Sequence, residues 1–423
     1  MSLDKFKLNK NIVCIDLKSF YASVECALRG LDPFKTDLVV ADKSRGDGSI
    51  VLATTPSLRN KGVPSRLRIY ELPENIDIIF AKPRMKEYLK YSAKIINIYL
   101  DFLSEEDLFI YSIDEVFIDL TNYLKLYKKS TESIVEDILD KIYEELKITA
   151  TAGIGPNMLL AKLAMDIDSK TSSTNIAVWS YKDVENKLWN VSPLSRMWGI
   201  GSKMERKLNL LGIYNVGDIA KYDKNILENK FGVLGLELWY HSNGIDMSVL
   251  QEKDKLRKNN KSFGSSQVLF KDYNSVEIKT IILEMTDEIV SRLRLSRNNI
   301  KTIKLSITYS KEFNKKFSHQ ITLNKSTNKV YKIYQNLLHI FDMYDLNLPI
   351  RKVSISLSNI TKGQINHYSL FEDINEIERE FELNKTIDNL KRRYNKNILS
   401  RAVSNKDYAT GKLRNKQIGG HHV

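Results

Sequence analysis

Three carboxylates set against apolar strands constrain this chain more than any other feature. The apolar run Ile12-Val13-Cys14-Ile15 reads as a short buried strand that ends at Asp16. Far along the chain, Asp114 and Glu115 fall at a tight hairpin between the apolar pairs Phe109-Ile110 and Val116-Phe117. A single Asp-Glu pair is ordinarily a solvated turn. Three acids at the edges of apolar strands would desolvate and repel one another unless a cation neutralised them. An all-oxygen ligand set without His or Cys suits Mg²⁺ or Mn²⁺. Two such ions, about 3.5–4 Å apart, can hold both the attacking and the leaving oxygen of an in-line phosphoryl transfer.

The surrounding pattern is one of alternating strands and helices. Ser19 to Leu28 has helical spacing, and residues 38–41 and 50–54 read as strands around Arg45-Gly46-Asp47-Gly48. A helix is expected from Arg84 to Leu103, with Tyr88, Tyr91, Ile95 and Tyr99 on one face. Strands at 108–112 and 116–120 flank the acidic hairpin; a helix over 131–147 and a strand over 149–154 follow. Gly153 and Gly155 punctuate the turn into a further helix after Asn157. The first 170 residues therefore build one mixed sheet with helices. From 175 to 246 short helices with Gly turns take over, and the polar stretch Gln251 to Asn260 reads as a linker. Residues 262–359 then give the order β-α-β-β-α-β, a split βαβ unit. The last 60 residues lack strand signals and divide into an acidic part, Glu372 to Glu382, and a basic part, Lys391 to Lys416.

A length of 423 residues exceeds what one core supports, so two to four domains are expected. The net charge of +13 is unevenly placed: residues 247–362 hold 21 Lys and Arg against 10 Asp and Glu. Such concentration in one region points to a polyanion partner. No apolar run is long enough for a membrane span, and the N-terminus lacks the apolar core of a signal peptide. Cys14 and Cys26 lack metal-ligand spacing and read as reduced core thiols of a cytoplasmic protein.

The residues flanking the acids carry a family likeness. Asp16-Leu17-Lys18-Ser19-Phe20-Tyr21-Ala22-Ser23-Val24-Glu25 and Ser112-Ile113-Asp114-Glu115-Val116-Phe117-Ile118-Asp119 resemble the two signature motifs of the Y family of translesion DNA polymerases. Within it they are similar to the UmuC-like branch of Gram-positive bacteria, where the residues between the Asp and the aromatic pair are not acidic. Thr151 to Asn157 with Ala161-Lys162-Leu163-Ala164, and Ala53 to Val63, are further matches in family order and spacing, and the likeness extends over about 1–362.

The resemblance implies a mixed α+β right-hand polymerase: palm 1–19 and 84–174, small fingers 20–83, helix-hairpin-helix thumb 175–246, linker 247–260, split-βαβ little finger 261–362, tail 363–423. It implies that Asp16, Asp114, Glu115 and the Leu17 carbonyl hold two Mg²⁺ ions, with Mn²⁺ as a substitute. Phe20, Tyr21, Thr54, Arg59 and Lys162 would meet the incoming deoxynucleoside triphosphate. Arg59 offers phosphate a bidentate fork and Lys162 a mobile point charge. Lys162 also stands in the first turn of a helix, whose N–H groups favour an anion. Tyr21 resembles the steric gate, a ring beneath the sugar that a 2′-hydroxyl would strike. Many relatives carry a Tyr where this chain has Pro56, so one hydroxyl contact of the family to the triphosphate is lost at that position, and whether Ala53 to Thr55 supply a substitute stays open.

Primer-template DNA is the implied partner. Gly199, Gly201, Lys203 and Arg206 resemble a phosphate-binding hairpin, and Lys261, Arg292, Arg294, Arg297, Lys301 and Lys304 would face the duplex backbone with strong salt dependence. His367-Tyr368-Ser369-Leu370-Phe371 resembles a sliding-clamp peptide, with Leu370 and Phe371 as its anchors and His in place of the family's Gln. The reaction implied is templated addition of deoxynucleotides to a primer 3′-OH, in error-prone repair, at the bacterial nucleoid, with room for accessory subunits. Two alternatives stay open at this point: a palm-type nucleotidyl cyclase, which would leave the basic region without a task, and a clamp-tethered DNA-binding factor with an inactive centre.

Overall fold

The computed structural model describes residues 3–170, 172–252, 262–363, 374–418 and 421–422. They fall into two compact units, Met1–Lys258 and Asn259–His422.

In the first unit the strands are β1 (Ile12–Leu17), β2 (Leu38–Val40), β3 (Ala53–Thr54), β4 (Ile79–Ala81), β5 (Leu108–Ile110), β6 (Glu115–Asp119), β7 (Ala150–Gly155) and β8 (Ile176–Val178). The main sheet has the order β5-β6-β1-β7-β8. β1 lies at its centre, antiparallel to both β6 and β7, while β7 and β8 run parallel. The period of two along β1 sends Val13, Ile15 and Leu17 to one face, where they join Tyr88, Ile95 and Ile98 of the Met85–Leu100 helix and Ile134, Ile138 and Ile142 of the Thr131–Leu146 helix. Each such side chain contributes about 1.5–3 kcal/mol by leaving water. The other face takes Ile12 and Cys14 against Phe117, Met158, Ala161 and Met165.

A second, three-stranded sheet has the order β3-β2-β4. The strand expected over 50–54 shrinks to β3, and Ile50 makes only an isolated bridge to Arg68. β4 was not anticipated, because three residues show no period and only parallel pairing with β2 defines them. Helices Ser202–Asn209, Val216–Lys221, Lys224–Phe231 and Val233–Ser242 fill the stretch expected to be helical.

The second unit contains β9 (Ser262–Tyr273), β10 (Asn298–Tyr309), β11 (Lys316–Thr327) and β12 (Ile350–Lys362) in an antiparallel sheet of order β11-β10-β12-β9. Helices Glu277–Leu295 and Val330–Tyr344 share its core, through Ile281, Met285, Ile289, Leu337 and Phe341 against Ile303, Leu305 and Ile355. The C-terminal stretch is not strandless, since β13 (Gln417–Ile418) and β14 (His421–His422) pair. It also forms a helix, Ile374–Arg393, whose buried Asp388 accepts from Ser291 Oγ at 2.7 Å and from Arg294 Nε at 2.7 Å. Further on, Arg401 grips Asp287, and the Thr410 and Gly411 amides donate to Glu284 Oε2 at 3.0 and 2.8 Å. These contacts bind the C-terminal stretch to the Glu277–Leu295 helix.

Candidate active site

The sheet register brings two of the acids side by side. Asp16 and Glu115 are direct partners across β1 and β6, so their side chains leave the same face one strand apart. Asp16 lies inside β1 and Glu115 opens β6, whereas sequence reading put them at a strand end and in a turn. Asp114 stays in the hairpin, and its carbonyl accepts the Leu17 amide at 2.9 Å, which ties the two acid-bearing segments together.

Their electrostatics follow from burial. Asp16 is pushed up to about 7, first by desolvation and then by the charges of Asp114 and Glu115. Desolvation also raises Glu115, although Lys162 pulls it the other way. Lys162 Nζ lies 3.0 Å from Glu115 Oε1 and 3.2 Å from Asp166 Oδ2. Burial works against its charge, but its negatively charged neighbours outweigh burial and hold it protonated. The Cys14 thiol donates to the same Glu115 oxygen at 3.3 Å, and Ser112 Oγ donates to Asp114 Oδ1 at 2.5 Å. Among the described residues no group of three or more His, Cys, Asp and Glu stands close enough together to hold a metal ion. The donor chemistry still fits a divalent cation: a buried carboxylate whose proton affinity is raised by two further acids invites a positive charge, and beside Glu115 a lysine supplies one.

Lys162 reaches Glu115 because its helix, Met158–Ala164, lies very close to β7. A Cβ on Gly153 would come within 2.2 Å of the Ala161 carbonyl, and one on Gly155 within 2.5 Å of the Ala161 amide. Both glycines thus sit within the strand and permit close approach, where sequence reading made them turn punctuation. The helix N-terminus is not an open anion site, contrary to expectation. The Leu160 amide donates to Asn157 Oδ1 at 2.9 Å and the Leu159 amide to Asp246 Oδ2 at 3.1 Å. That leaves the side chain of Lys162 as the feature facing the acids.

The expected nucleotide residues divide. Tyr21 is half-buried on the Phe20–Arg29 helix, and its hydroxyl is raised by burial and by the charge of Asp114, so it lies within electrostatic reach of that acid. Phe20 points into the core and is 3% exposed, so its side chain cannot meet a nucleotide. Thr54 is fully buried, with its hydroxyl 3.4 Å from the Val63 carbonyl and 3.2 Å from Ser65 Oγ. It supports Arg59 instead, since Arg59 Nη2 donates to Ser65 Oγ at 3.1 Å from an exposed position. Pro56 opens the Pro56–Asn60 helix at its first position, after the N-cap Thr55. Sequence reading gave no part in the site to Cys14, Ser112, Asp166 or Asp246. Two had a signal: Cys14 is two residues before Asp16 on a strand, and Asp166 is four after Lys162 on a helix.

Among residues expected to hold DNA, Gly199 has φ +91°, Gly201 caps the Ser202–Asn209 helix, and Lys203 and Arg206 are exposed. In the second unit Arg292 and Arg297 are exposed, Lys301 is half-buried, and Arg294 is engaged by Asp388, so Arg294 is not the free cation expected. Lys304 stands on the sheet face away from the core, with Gln320 and Ser356 as strand partners. A row of serines crosses that face in register, Ser266, Ser354, Ser306 and Ser318, with hydroxyl pairs 2.7 Å apart at each end. Lys261, Leu370 and Phe371 lie outside the described residues.

Comparison with known proteins adds independent findings. The impB/mucB/samB family pattern matches residues 15–166, that family's C-terminal domain matches 260–370, and the IMS family HHH motif matches 181–213. The putative UV-damage repair protein UvrX of Bacillus subtilis is 39% identical over 415 residues, covering 97% of each chain. DNA polymerase IV of Pelotomaculum thermopropionicum is 32% identical over 401 residues, 93% of this chain and 95% of that protein. A solved Y-family DNA polymerase chimera shares the fold with a TM-score of 0.66 at 23% identity, over 84% of this chain and 100% of that one.

Proposed function

This chain belongs to the impB/mucB/samB family, the Y family of DNA polymerases, and from that premise we propose that Asp16, Asp114 and Glu115 form its catalytic centre. It is a DNA-directed DNA polymerase of translesion synthesis and repair, which removes the cyclase alternative. We assign 1–19 and 84–174 as palm, 20–83 as fingers, 175–246 as thumb and 261–362 as little finger. Among the described residues no helix is long and apolar enough to cross a membrane. Action at the bacterial nucleoid follows from a DNA substrate.

The observation that carries the proposal is the cross-strand pair Asp16 and Glu115, both raised by burial, with Lys162 paired to Glu115. Asp16, Asp114, Glu115 and the Leu17 carbonyl would hold two Mg²⁺ ions, for which Mn²⁺ substitutes. When bound, such ions supply Lewis acidity at the primer hydroxyl and neutralise charge at the triphosphate. In the reaction the primer 3′-oxygen attacks the α-phosphorus, the bond to pyrophosphate breaks, and the chain grows by one deoxynucleotide.

The chain's own residues orient and select. Lys162, freed from Glu115, turns its permanent charge to the triphosphate, with Asp166 keeping it near. Arg59, exposed beside Ser65, holds the outer phosphates. Tyr21 stands under the sugar and excludes a 2′-hydroxyl. The fingers are small, a three-stranded sheet with the Phe20–Arg29 and Pro56–Asn60 helices, so little protein closes over the nascent pair and a damaged template base is tolerated. Lys203, Arg206 and Lys304 hold the DNA through its phosphates, and Leu370 and Phe371 dock on the sliding clamp.

Primer extension on four templates that differ in the first unpaired base tests this reading. Incorporation should follow the template base, require a divalent metal and stop in the Glu115→Ala protein. Extension indifferent to the template would refute it.

A further inference from the structure

Behind Tyr21 lies an arrangement that its role alone does not require. The Tyr21 ring stacks on that of Tyr88, with centroids 4.6 Å apart and planes inclined by 20°. Tyr88 is fully buried on the Met85–Leu100 helix, and its hydroxyl donates to Glu25 Oε1 at 2.8 Å. Glu25 sits on the same helix as Tyr21, one turn further on, and is itself fully buried. Residues four apart share a helix face. Tyr88 is therefore gripped twice by one helix, by a ring on its face and by a carboxylate on its hydroxyl.

The carboxylate is in turn immobilised. Arg84 Nε donates to Glu25 Oε1 at 3.0 Å and Arg84 Nη2 to Oε2 at 2.7 Å, while Arg29 pairs with Oε2 from the other side. A lone buried charge would be expensive, and this one has every oxygen occupied. Although burial works to raise it, the hydrogen bonds from Arg84, Arg29 and Tyr88 hold Glu25 below its ordinary value, so it stays ionised at neutral pH. The result is a closed circuit: Tyr21 to Tyr88 by stacking, Tyr88 to Glu25 by hydrogen bond, and Glu25 back to Tyr21 through one helical turn.

We propose that Tyr88, locked by Glu25 and Arg84, is a positioning residue for sugar selection, fixing the height and tilt of the Tyr21 ring. The inference rests on the reading of Tyr21 as the steric gate. A gate discriminates only as far as it refuses to yield. A 2′-hydroxyl adds a single oxygen, and a ring free to tilt would accommodate it at little cost. Packing a flat ring against a second flat ring anchored at its far end removes that freedom, because stacked rings resist tilting. An ordinary core aromatic would need neither the parallel stack nor a buried carboxylate with two arginines behind its hydroxyl.

The test compares insertion of matched ribo- and deoxynucleotides opposite the same template base by wild type, Tyr21→Ala, Tyr88→Phe, Tyr88→Leu and Tyr88→Met. The ratio of the two efficiencies is internal to each sample, so a partly folded preparation does not distort it. Tyr88→Leu and Tyr88→Met, which fill the space without a flat face, should each raise relative ribonucleotide insertion about tenfold, as expected for misplacement on the ångström scale. Tyr88→Phe, which keeps the flat face but loses its anchor on Glu25, should raise the ratio by less than these two, and Tyr21→Ala should exceed them all. If both ring-removing variants keep the wild-type ratio while Tyr21→Ala raises it, the gate stands and the positioning role of Tyr88 is refuted. If Tyr21→Ala also leaves the ratio unchanged, the gate reading itself falls.

Discussion

The two larger sheets of the molecule solve opposite electrostatic problems. Both bury one face under helices. In the first unit the other face carries Asp16, Glu115 and Cys14 beneath the Met158–Ala164 helix, so like charges meet in a buried place and need Lys162 beside them. In the second unit the other face is open and carries hydroxyls and spaced lysines, among them Ser354, Ser306, Lys304 and Lys352. Charge concentrated away from water raises proton affinities and attracts cations, which is what chemistry on phosphates needs. Charge spread over a flat wet surface does neither, yet it can hold a polyanion without reading its sequence. The difference separates a site that reacts from a surface that retains.

That contrast can be broken at several points. Asp16→Ala, Asp114→Ala or Glu115→Ala should each lower single-nucleotide insertion by on the order of 10³-fold or more while leaving primer-template affinity nearly unchanged. Rapid-quench insertion with anisotropy on the same samples checks both halves. Asp388→Ala strands Arg294 in a largely buried position and should destabilise the second unit by about 3 kcal/mol in denaturant unfolding. Replacing the pair together, Asp388→Leu with Arg294→Met, should recover most of the loss. Lys304→Ala with Lys352→Ala should weaken DNA binding evenly across sequences and reduce the slope of log affinity against log salt by about 2, with insertion at saturating DNA unchanged.

The smallest effect concerns Glu25. Its folded value is depressed, so it stabilises the fold above its ordinary value of 4.5, and that contribution is lost as pH falls through the lower folded value. Thermal melting of wild type should therefore decline more steeply below about 4.5 than that of Glu25→Gln, which starts lower and stays flatter. Parallel curves would mean that Glu25 is not the ionised anchor of Tyr88.

What was legible in the sequence was what depends on near neighbours. Alternation marks β1, helical spacing places Tyr88, Ile95 and Tyr99 on one face, and the β-α-β-β-α-β order of the second unit is present in the structure. What was hidden depends on partners far along the chain. The amides before Lys162 are closed by Asp246, and Arg294 is claimed by Asp388; neither acid has a local signature. The Ile374–Arg393 helix is too polar to announce an inward face, and its docking rests on Asp388, which pairs with Arg294 and accepts from Ser291 of the Glu277–Leu295 helix. Phe20 and Tyr21 are adjacent and chemically alike, so only the structure separates the core ring from the one within electrostatic reach of Asp114.

The central claim is that Asp16, Asp114 and Glu115, with Lys162 beside Glu115, are the seat of divalent metal and of catalysis. Mn²⁺ binding to the protein–primer-template complex, followed by electron paramagnetic resonance in wild type and Asp114→Asn, addresses it most directly. The account predicts saturable binding in wild type, enhanced by a non-hydrolysable deoxynucleotide and sharply weakened in the variant. Equal binding in the two proteins would contradict it.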